Sequence, residues 1–208
     1  MGRKYRNLYD SVCSFENILL ASRKARRGGK RTRPDVAQFE YDLEKNIFGI
    51  RDSLADGSYA FGGYNSFTIS DPKERVISKA LYRDRVVHHA LCNIIEPILD
   101  RAMISDSYAC RKGKGSHRAI ARAEECIRKY SHVLKIDVKK YFFTIDHEIL
   151  LDLLETKISD DRVMRLIRKL LATYSSEEKF ISAIISKLKP EYRQLKLIFY
   201  QFEERFLL

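Results

Sequence analysis

A chain of 208 residues, 45% of them hydrophobic, is long enough for one large or two small packed domains and too apolar for wholesale disorder. No apolar run approaches the roughly 20 residues of a membrane span, and the basic start Met1–Asp10 leads into no apolar signal stretch, so a cytoplasmic protein without a membrane partner is expected. The net charge of +11 is unevenly placed: residues 1–33 hold ten Lys or Arg against Asp10 and Glu16, and so carry eight of the eleven charges. Clustered cations suit a polyanion, because each phosphate neutralised releases condensed counterions; a solvated basic arm with no partner is the plainer alternative. Four scattered cysteines, Cys13, Cys92, Cys110 and Cys126, form no CxxC pair and read as free thiols of a reducing compartment. A zinc site from Cys110 and His117 would need two further ligands that no spacing supplies.

In chain order, Ser14 is placed to cap a helix whose apolar residues Phe15, Ile18 and Leu19 share a face, and Gly28-Gly29 ends it. Pro34 then opens a long amphipathic helix with Val36, Phe39, Leu43, Ile47, Ile50 and Leu54 at spacings of three or four, ending near Gly57. The period changes to two over Ser66–Ser70, and Val76-Ile77 follow beyond Asp71-Pro72-Lys73, which predicts a β-hairpin with Lys73 and Arg75 at or just past its tip. Asp84 is expected to open a helix striped by Val87, Leu91, Ile94, Ile95 and Ile98. A glycine-bearing basic loop, Ser105–Gly115, leads to a short helix capped by Ser116. Val133, Leu134, Ile136 and Val138 predict a central strand, and two further helices are expected behind Asp146 and Ser159. Helices with a few strands make the class α+β.

Asp137 is the sharpest single position. A carboxylate ending an apolar strand between lysines is costly unless it binds something, and hard divalent cations such as Mg²⁺ take oxygen ligands. On spacing alone, an aspartate there is more often a turn cap. Lys73 and Arg75 on a hairpin tip suit a phosphate clamp, and Arg111, Lys112 and Lys114 around Gly113 and Gly115 let backbone approach a phosphate; each signal alone is also an ordinary charged turn. His88 and His89, adjacent on one helix, cannot share a face and fit a core edge or the surface.

The order of these signals is more specific than any of them. FTISDPKERVISKALYRDRVVHHALCNIIEPILD (residues 67–100), SDSYACRKGKGSHRAI (105–120) and VLKIDVKKYFFTIDHEILLDLL (133–154) resemble the opening blocks of reverse transcriptases, most of all those of diversity-generating retroelements and group II introns. The start, RNLYDSVCSFENILLASRKARRGGKR, is similar to the N-terminal helix and basic stretch of the retroelement type. The resemblance implies a partial right-hand polymerase: a basic helical extension over residues 1–60, fingers over 61–130, part of a palm over 131–174, and a helical tail over 175–208 without family likeness. It implies RNA-directed DNA synthesis with two Mg²⁺ ions, an RNA template, a DNA or RNA primer, deoxynucleoside triphosphates and an accessory protein of the retroelement.

Residue by residue, Lys73 and Arg75 match the positions that hold the incoming triphosphate. Arg111 matches the basic residue lining the nucleotide and template site. Asp137 matches the metal-binding aspartate, Val138 the position whose carbonyl completes a metal shell, and Phe142 the steric gate against a ribose 2′-hydroxyl. Nucleic-acid contacts fall to Arg23, Lys24, Arg26, Arg27, Lys30, Arg31, Arg33, Lys112 and Lys114. The pattern departs from the family in its later blocks: no Tyr-x-Asp-Asp is present, the Gly-rich and Ser-Gln block expected after Tyr174 is missing, no room is left for a thumb, and Asp160-Asp161 reads as the first-turn acids of a helix. A reading frame truncated before that motif is therefore expected, alongside a non-catalytic nucleic-acid-binding remnant or accessory protein. In the tail, Leu195, Ile198, Phe199, Phe202 and Phe206 fit one helical face.

Overall fold

Two helices at the N-terminus, α1 (Tyr9–Cys13) and α2 (Phe15–Ala25), meet at the single extended residue Ser14. Its hydroxyl accepts from Asn17 N at 3.2 Å, the cap expected from the sequence. The computed structural model describes residues 4–70, 75–138, 141 and 145–173, with the backbone alone at Arg75 and Val76. The chain falls into two compact units, one of Met1–Leu99 with His147–Tyr174 and one of Asp100–Asp146 with Ser175–Leu208.

In the first unit, the long helix expected from Pro34 to Gly57 is instead two, α3 (Pro34–Tyr41) and α4 (Leu43–Ala55). Asp42 breaks it, at φ −109° and ψ 41°. The Phe39 carbonyl freed near the break accepts from Asn46 Nδ2 at 2.9 Å, so this part-buried carbonyl keeps a partner across the break. Both pieces still keep the apolar stripe inward, with Val36, Ile50 and Leu54 fully buried. The hairpin follows as β1 (Tyr64–Ile69) and β2 (Arg75–Ala80), antiparallel, from Tyr64 opposite Ala80 to Ile69 opposite Arg75.

Helix α5 (Tyr82–Asp100) starts two residues earlier than the sequence suggests. Asp84 lies in its first turn, only 4% exposed, and accepts from the Tyr59 hydroxyl at 2.7 Å and Gly62 N at 2.8 Å. A Cβ at Gly62 would displace the end of the exposed Leu81 side chain and stand 3.2 Å from Asp84 Oδ2, so glycine leaves the closest room for this approach. Burial, and then the Asp84 carboxylate, push the Tyr59 hydroxyl pKa well above its ordinary value and hold the phenol neutral as a donor.

Two later helices of this unit, α7 (His147–Glu155) and α8 (Asp161–Ala172), close its core. Leu151, Leu154, Ile158, Val163 and Ile167 join Tyr9, Val12, Ile18, Ile47, Leu54, Val86 and Val87 in one apolar cluster. Asp160, rather than Ser159, caps α8, accepting from Arg162 N and Val163 N at 3.0 and 3.2 Å through Oδ1. Its Oδ2 accepts from Leu8 N at 2.7 Å and Tyr9 N at 3.0 Å, so one carboxylate caps the starts of α1 and α8 together. Tyr5 adds a parallel bridge to Ile158, with Tyr5 N donating to Lys157 O at 2.8 Å and Ser159 N to Tyr5 O at 2.9 Å.

The second unit contains α6 (Ser116–Lys129) among its described residues. Ser116 does not cap it; Gly115 stands at the cap position, at φ 102°, and no side chain bonds to the helix start. The central strand expected over Val133–Val138 does not form: these residues are irregular, with Val133 69% and Leu134 64% exposed. A strand exists only where a neighbour takes its backbone N–H and C=O groups, and among the described residues the only paired strands are β1 and β2, which pair with each other. No described helix is long and apolar enough to cross a membrane.

Candidate nucleotide and nucleic-acid site

The hairpin carries the first pair of candidates. Arg75 begins β2 opposite Ile69, and Lys73 lies outside the described residues. Phe67 and Ile77, directly opposed, are 48% and 36% exposed, so the ladder presents an apolar pair to its surroundings rather than to a core. At the other end of the ladder, Lys79 Nζ sits 2.6 Å from Asp35 Oδ2, which ties β2 to the first turn of α3. The Lys79 hydrogen bond holds the Asp35 carboxyl below the usual carboxylate range against the opposing effect of burial.

In the second unit, the basic loop is organised from within. Arg111 Nε reaches Asp100 Oδ1 at 2.5 Å, Nη1 donates to the carbonyls of Ile104 at 2.8 Å and Ser107 at 3.1 Å, and Nη2 donates to Asp100 O at 3.1 Å. The planar fork thus ties the loop's start to its end, and its side chain is 13% exposed. Lys114 bonds to the Ser105 carbonyl and lies 4.8 Å from the Tyr108 ring centroid. Lys112 is exposed. Cys110 and Gly113 both take left-handed backbone, at φ 57° and 74°, which turns the loop sharply enough to bring Gly115 N to Tyr108 O at 3.2 Å. The first turn of α6 carries no acid, and His117 and Arg118 are exposed there.

Asp137 is exposed and bonds to no other described residue, with exposed Lys135 two positions before it. Val138 is half-buried; Phe142 lies outside the described residues. No group of three His, Cys, Asp or Glu side chains among the described residues could hold a metal ion. The described donor set therefore offers one carboxylate, which is a fitting ligand for Mg²⁺ but does not make a two-metal centre by itself.

Of the N-terminal cations, Lys24 donates to Asn93 Oδ1 at 2.5 Å and Arg26 pairs with Glu40, so both also bind the helices together. Arg23, Arg27, Arg31 and Arg33 are exposed, and Lys30 is half-buried. Gly28 and Gly29, at φ 73° and 72°, turn the chain so that the basic residues continue past the end of α2. The charges of Arg85, Arg33 and Lys79, with partial burial, lower the pKa of the Lys30 ammonium; sequence reasoning left Lys79 and Arg85 aside. Arg85 follows Asp84 at the start of a helix, where a basic residue carries no pattern of its own.

Residues 70–195, more than half of the chain, match the model of the family described as "Reverse transcriptase (RNA-dependent DNA polymerase)". The protein belongs to the reverse transcriptase family. The match begins in the hairpin and extends beyond Tyr174. Among similar proteins, the "Putative COX1/OXI3 intron 1 protein" of Saccharomyces cerevisiae is 28% identical over 132 residues, 62% of this chain and 16% of that one. "Nuclear intron maturase 1, mitochondrial" of Arabidopsis thaliana is 26% identical over 107 residues, 51% of this chain and 15% of that one. "Protein YkfC" of Escherichia coli is 30% identical over 127 residues, 58% of this chain and 33% of that one. The relatives named as intron proteins fit the group II intron type, and the chain spans no more than a third of the length of any of these three.

Proposed function

We propose that this chain is the nucleotide- and template-facing part of an RNA-directed DNA polymerase. The observation that carries the reading is the family match over residues 70–195 together with Asp137, an exposed carboxylate within that match that bonds to no other described residue. In this reading residues 61–130 act as fingers and 131–174 as part of a palm. Lys73 and Arg75 hold the triphosphate, Arg111 shapes the loop beside it, Phe142 excludes the 2′-hydroxyl, and Asp137 with the Val138 carbonyl contributes to a Mg²⁺ site. Bound Mg²⁺ would stabilise the attacking and leaving oxygens of phosphoryl transfer. The partners are an RNA template, a primer and deoxynucleoside triphosphates, with an accessory protein of the element as a further partner.

Primer extension on an RNA template tests this. The 208-residue chain, with one carboxylate in its described donor set, is expected to show no extension on its own. Extension should appear when the remaining palm carboxylates are supplied in a longer chain, and Asp137→Ala should abolish it. A longer chain whose extension survives Asp137→Ala would overturn the assignment. A second reading, intron RNA binding without polymerisation, is favoured by relatives whose names call them intron maturases. It expects RNA affinity that falls steeply with salt and is unchanged or improved in Asp137→Ala.

A further inference from the structure

The hairpin leaves the body of the first unit as an arm. Each strand has six residues, which at roughly 3.3 Å per residue carries the far end about 20 Å from the root. Phe67, Ile69 and Ile77 are exposed, so among the described residues no core supports the middle of the ladder. The direction of the arm is therefore set at its root. A tilt of about 10° there moves the far end by roughly 3 Å, more than the positioning of a reacting group tolerates.

Two ties hold the root. On the exit side, Lys79 of β2 meets Asp35 of α3 at 2.6 Å, but both side chains are partly exposed, and an ion pair of that kind is weak and screened by salt. On the entry side, Gly62, two residues before β1, donates its N–H to Asp84 Oδ2 at 2.8 Å, and the Tyr59 hydroxyl donates to Asp84 Oδ1 at 2.7 Å. Asp84 lies in the first turn of α5, which begins two residues after β2 ends. One carboxylate thus joins the segment that enters β1 to the helix that follows β2. Asp84 and Tyr59 are both buried, so water and salt compete little for these bonds, and a donor left without its acceptor is costly. The N-terminal end of α5 favours the negative charge there.

The segment that Asp84 holds is seated from other sides as well. Tyr59 N donates to Ser53 O of α4 at 2.8 Å, and Lys169 Nζ of α8 donates to Gly57 O at 2.7 Å. The Phe61 ring lies edge-on to Tyr59 at 5.1 Å and tilted against His88 of α5 at 5.7 Å. We propose that Asp84 is a positioning residue: through Gly62 and Tyr59 it fixes the direction of the hairpin, and so the place of the far end, where the function proposed above puts the incoming triphosphate. The consequence for the triphosphate rests on that reading and extends it to a buried group that acts through other residues. Hydrogen bonding rather than charge carries the role. In Asp84→Asn the amide oxygen accepts from Gly62 N, and the amide nitrogen donates to the Tyr59 oxygen, which is able to accept. Asp84→Ala leaves both donors without an acceptor.

The first test measures backbone amide order parameters by NMR relaxation on the full 208-residue chain. In Asp84→Ala those of β1 and β2 are expected to fall from about 0.85 toward 0.6 or lower, with α2 and α4 unchanged, and Asp84→Asn is expected to restore them. Wild-type order in the hairpin of Asp84→Ala overturns the proposal. Equal loosening of the hairpin, α2 and α4 also overturns it, because Asp84 is then a general support of the core. Should Asp84→Ala not fold, Tyr59→Phe removes one of the two bonds at nearly constant volume. It is expected to loosen the same strands by a smaller amount, and no change there overturns the proposal. The second test is primer extension by the longer chain that carries the remaining palm carboxylates. In Asp84→Ala the KM for the deoxynucleoside triphosphate should rise about tenfold while kcat changes less than about threefold, with Asp84→Asn near wild type. A fall in kcat at unchanged KM overturns the link to the triphosphate. A longer wild-type chain that extends no primer overturns the polymerase reading, and the order parameters then decide by themselves whether Asp84 holds the hairpin.

Discussion

The two units treat their apolar residues in opposite ways. The first buries Val12, Ile18, Ile47, Ile50, Leu54 and Val86 completely, whereas α6 in the second buries none of its residues and leaves Ile120 and Ile127 48% and 58% exposed. Helical periodicity is equally clear in both. The difference shows that an apolar stripe fixes a helix's packing only where partner stripes exist to cover it. The first unit supplies those partners from sequence on either side, α1–α5 and α7–α8. The described part of the second is instead held by polar bonds: Arg111 to Asp100 and to two carbonyls, and Arg122 to Asp106.

The largest expected effect tests the first unit's core. Leu54 is fully buried, and the Leu54 carbonyl accepts from the Tyr9 hydroxyl at 2.7 Å, so α4 meets α1 through packing and a hydrogen bond at one residue. Leu54→Ala should lower stability by about 2–5 kcal/mol in urea unfolding, since it removes buried methyl groups and leaves a cavity. A loss below about 1 kcal/mol would show a core loose enough to collapse around the gap, and the contrast between the units would shrink.

Next in size is Asp160. Burial works to raise its carboxyl pKa, but backbone N–H groups of Val163, Tyr9, Leu8 and Arg162 outweigh it and hold the group below its ordinary value. In Asp160→Asn one end of the side chain becomes an amide donor facing two backbone donors. A loss of about 1–3 kcal/mol at neutral pH is expected, the penalty for buried donors left without an acceptor. A folded-state pKa below the unfolded one means the stabilisation is present above roughly pH 4 and is lost as pH falls through the folded value. The gap between wild type and Asp160→Asn should therefore narrow on acidification below pH 4. A gap independent of pH would show that the hydrogen-bond geometry matters and the charge does not.

These residues also mark how far the sequence could be read. The stripes of α4 and α5 were legible because helical spacing is local, and the Ser14 cap because it precedes its stripe directly. The break at Asp42 was not, since the side chain that compensates it, Asn46, reads as an ordinary polar helix position. The second role of Asp160 was hidden because its partners, Leu8 and Tyr9, stand some 150 positions away in sequence. The strand over Val133–Val138 was misread for the reverse reason: its apolar pattern is local, but a strand is a property of a pair. Arg111 was singled out as a charge, while its bonds to Asp100, Ile104 and Ser107 show that it also builds the loop it sits in. Arg85 carries no local signal, because the carbonyl its guanidinium bonds, Ala25 O, stands 60 positions away in the chain.

The smallest expected effect completes the contrast. Ile127 lies on α6 with 58% of its surface exposed, and no residue of that helix is buried. Replacing it by serine removes apolar surface that is already largely in water. Little transfer free energy is lost, and serine's helix propensity is close to that of isoleucine. Ile127→Ser should therefore leave the unfolding free energy within about 0.5 kcal/mol of the parent, as measured by the same urea titration used for Leu54→Ala. A loss above about 1 kcal/mol would mean that the α6 stripe is covered in solution, and the second unit would then have an apolar core of its own.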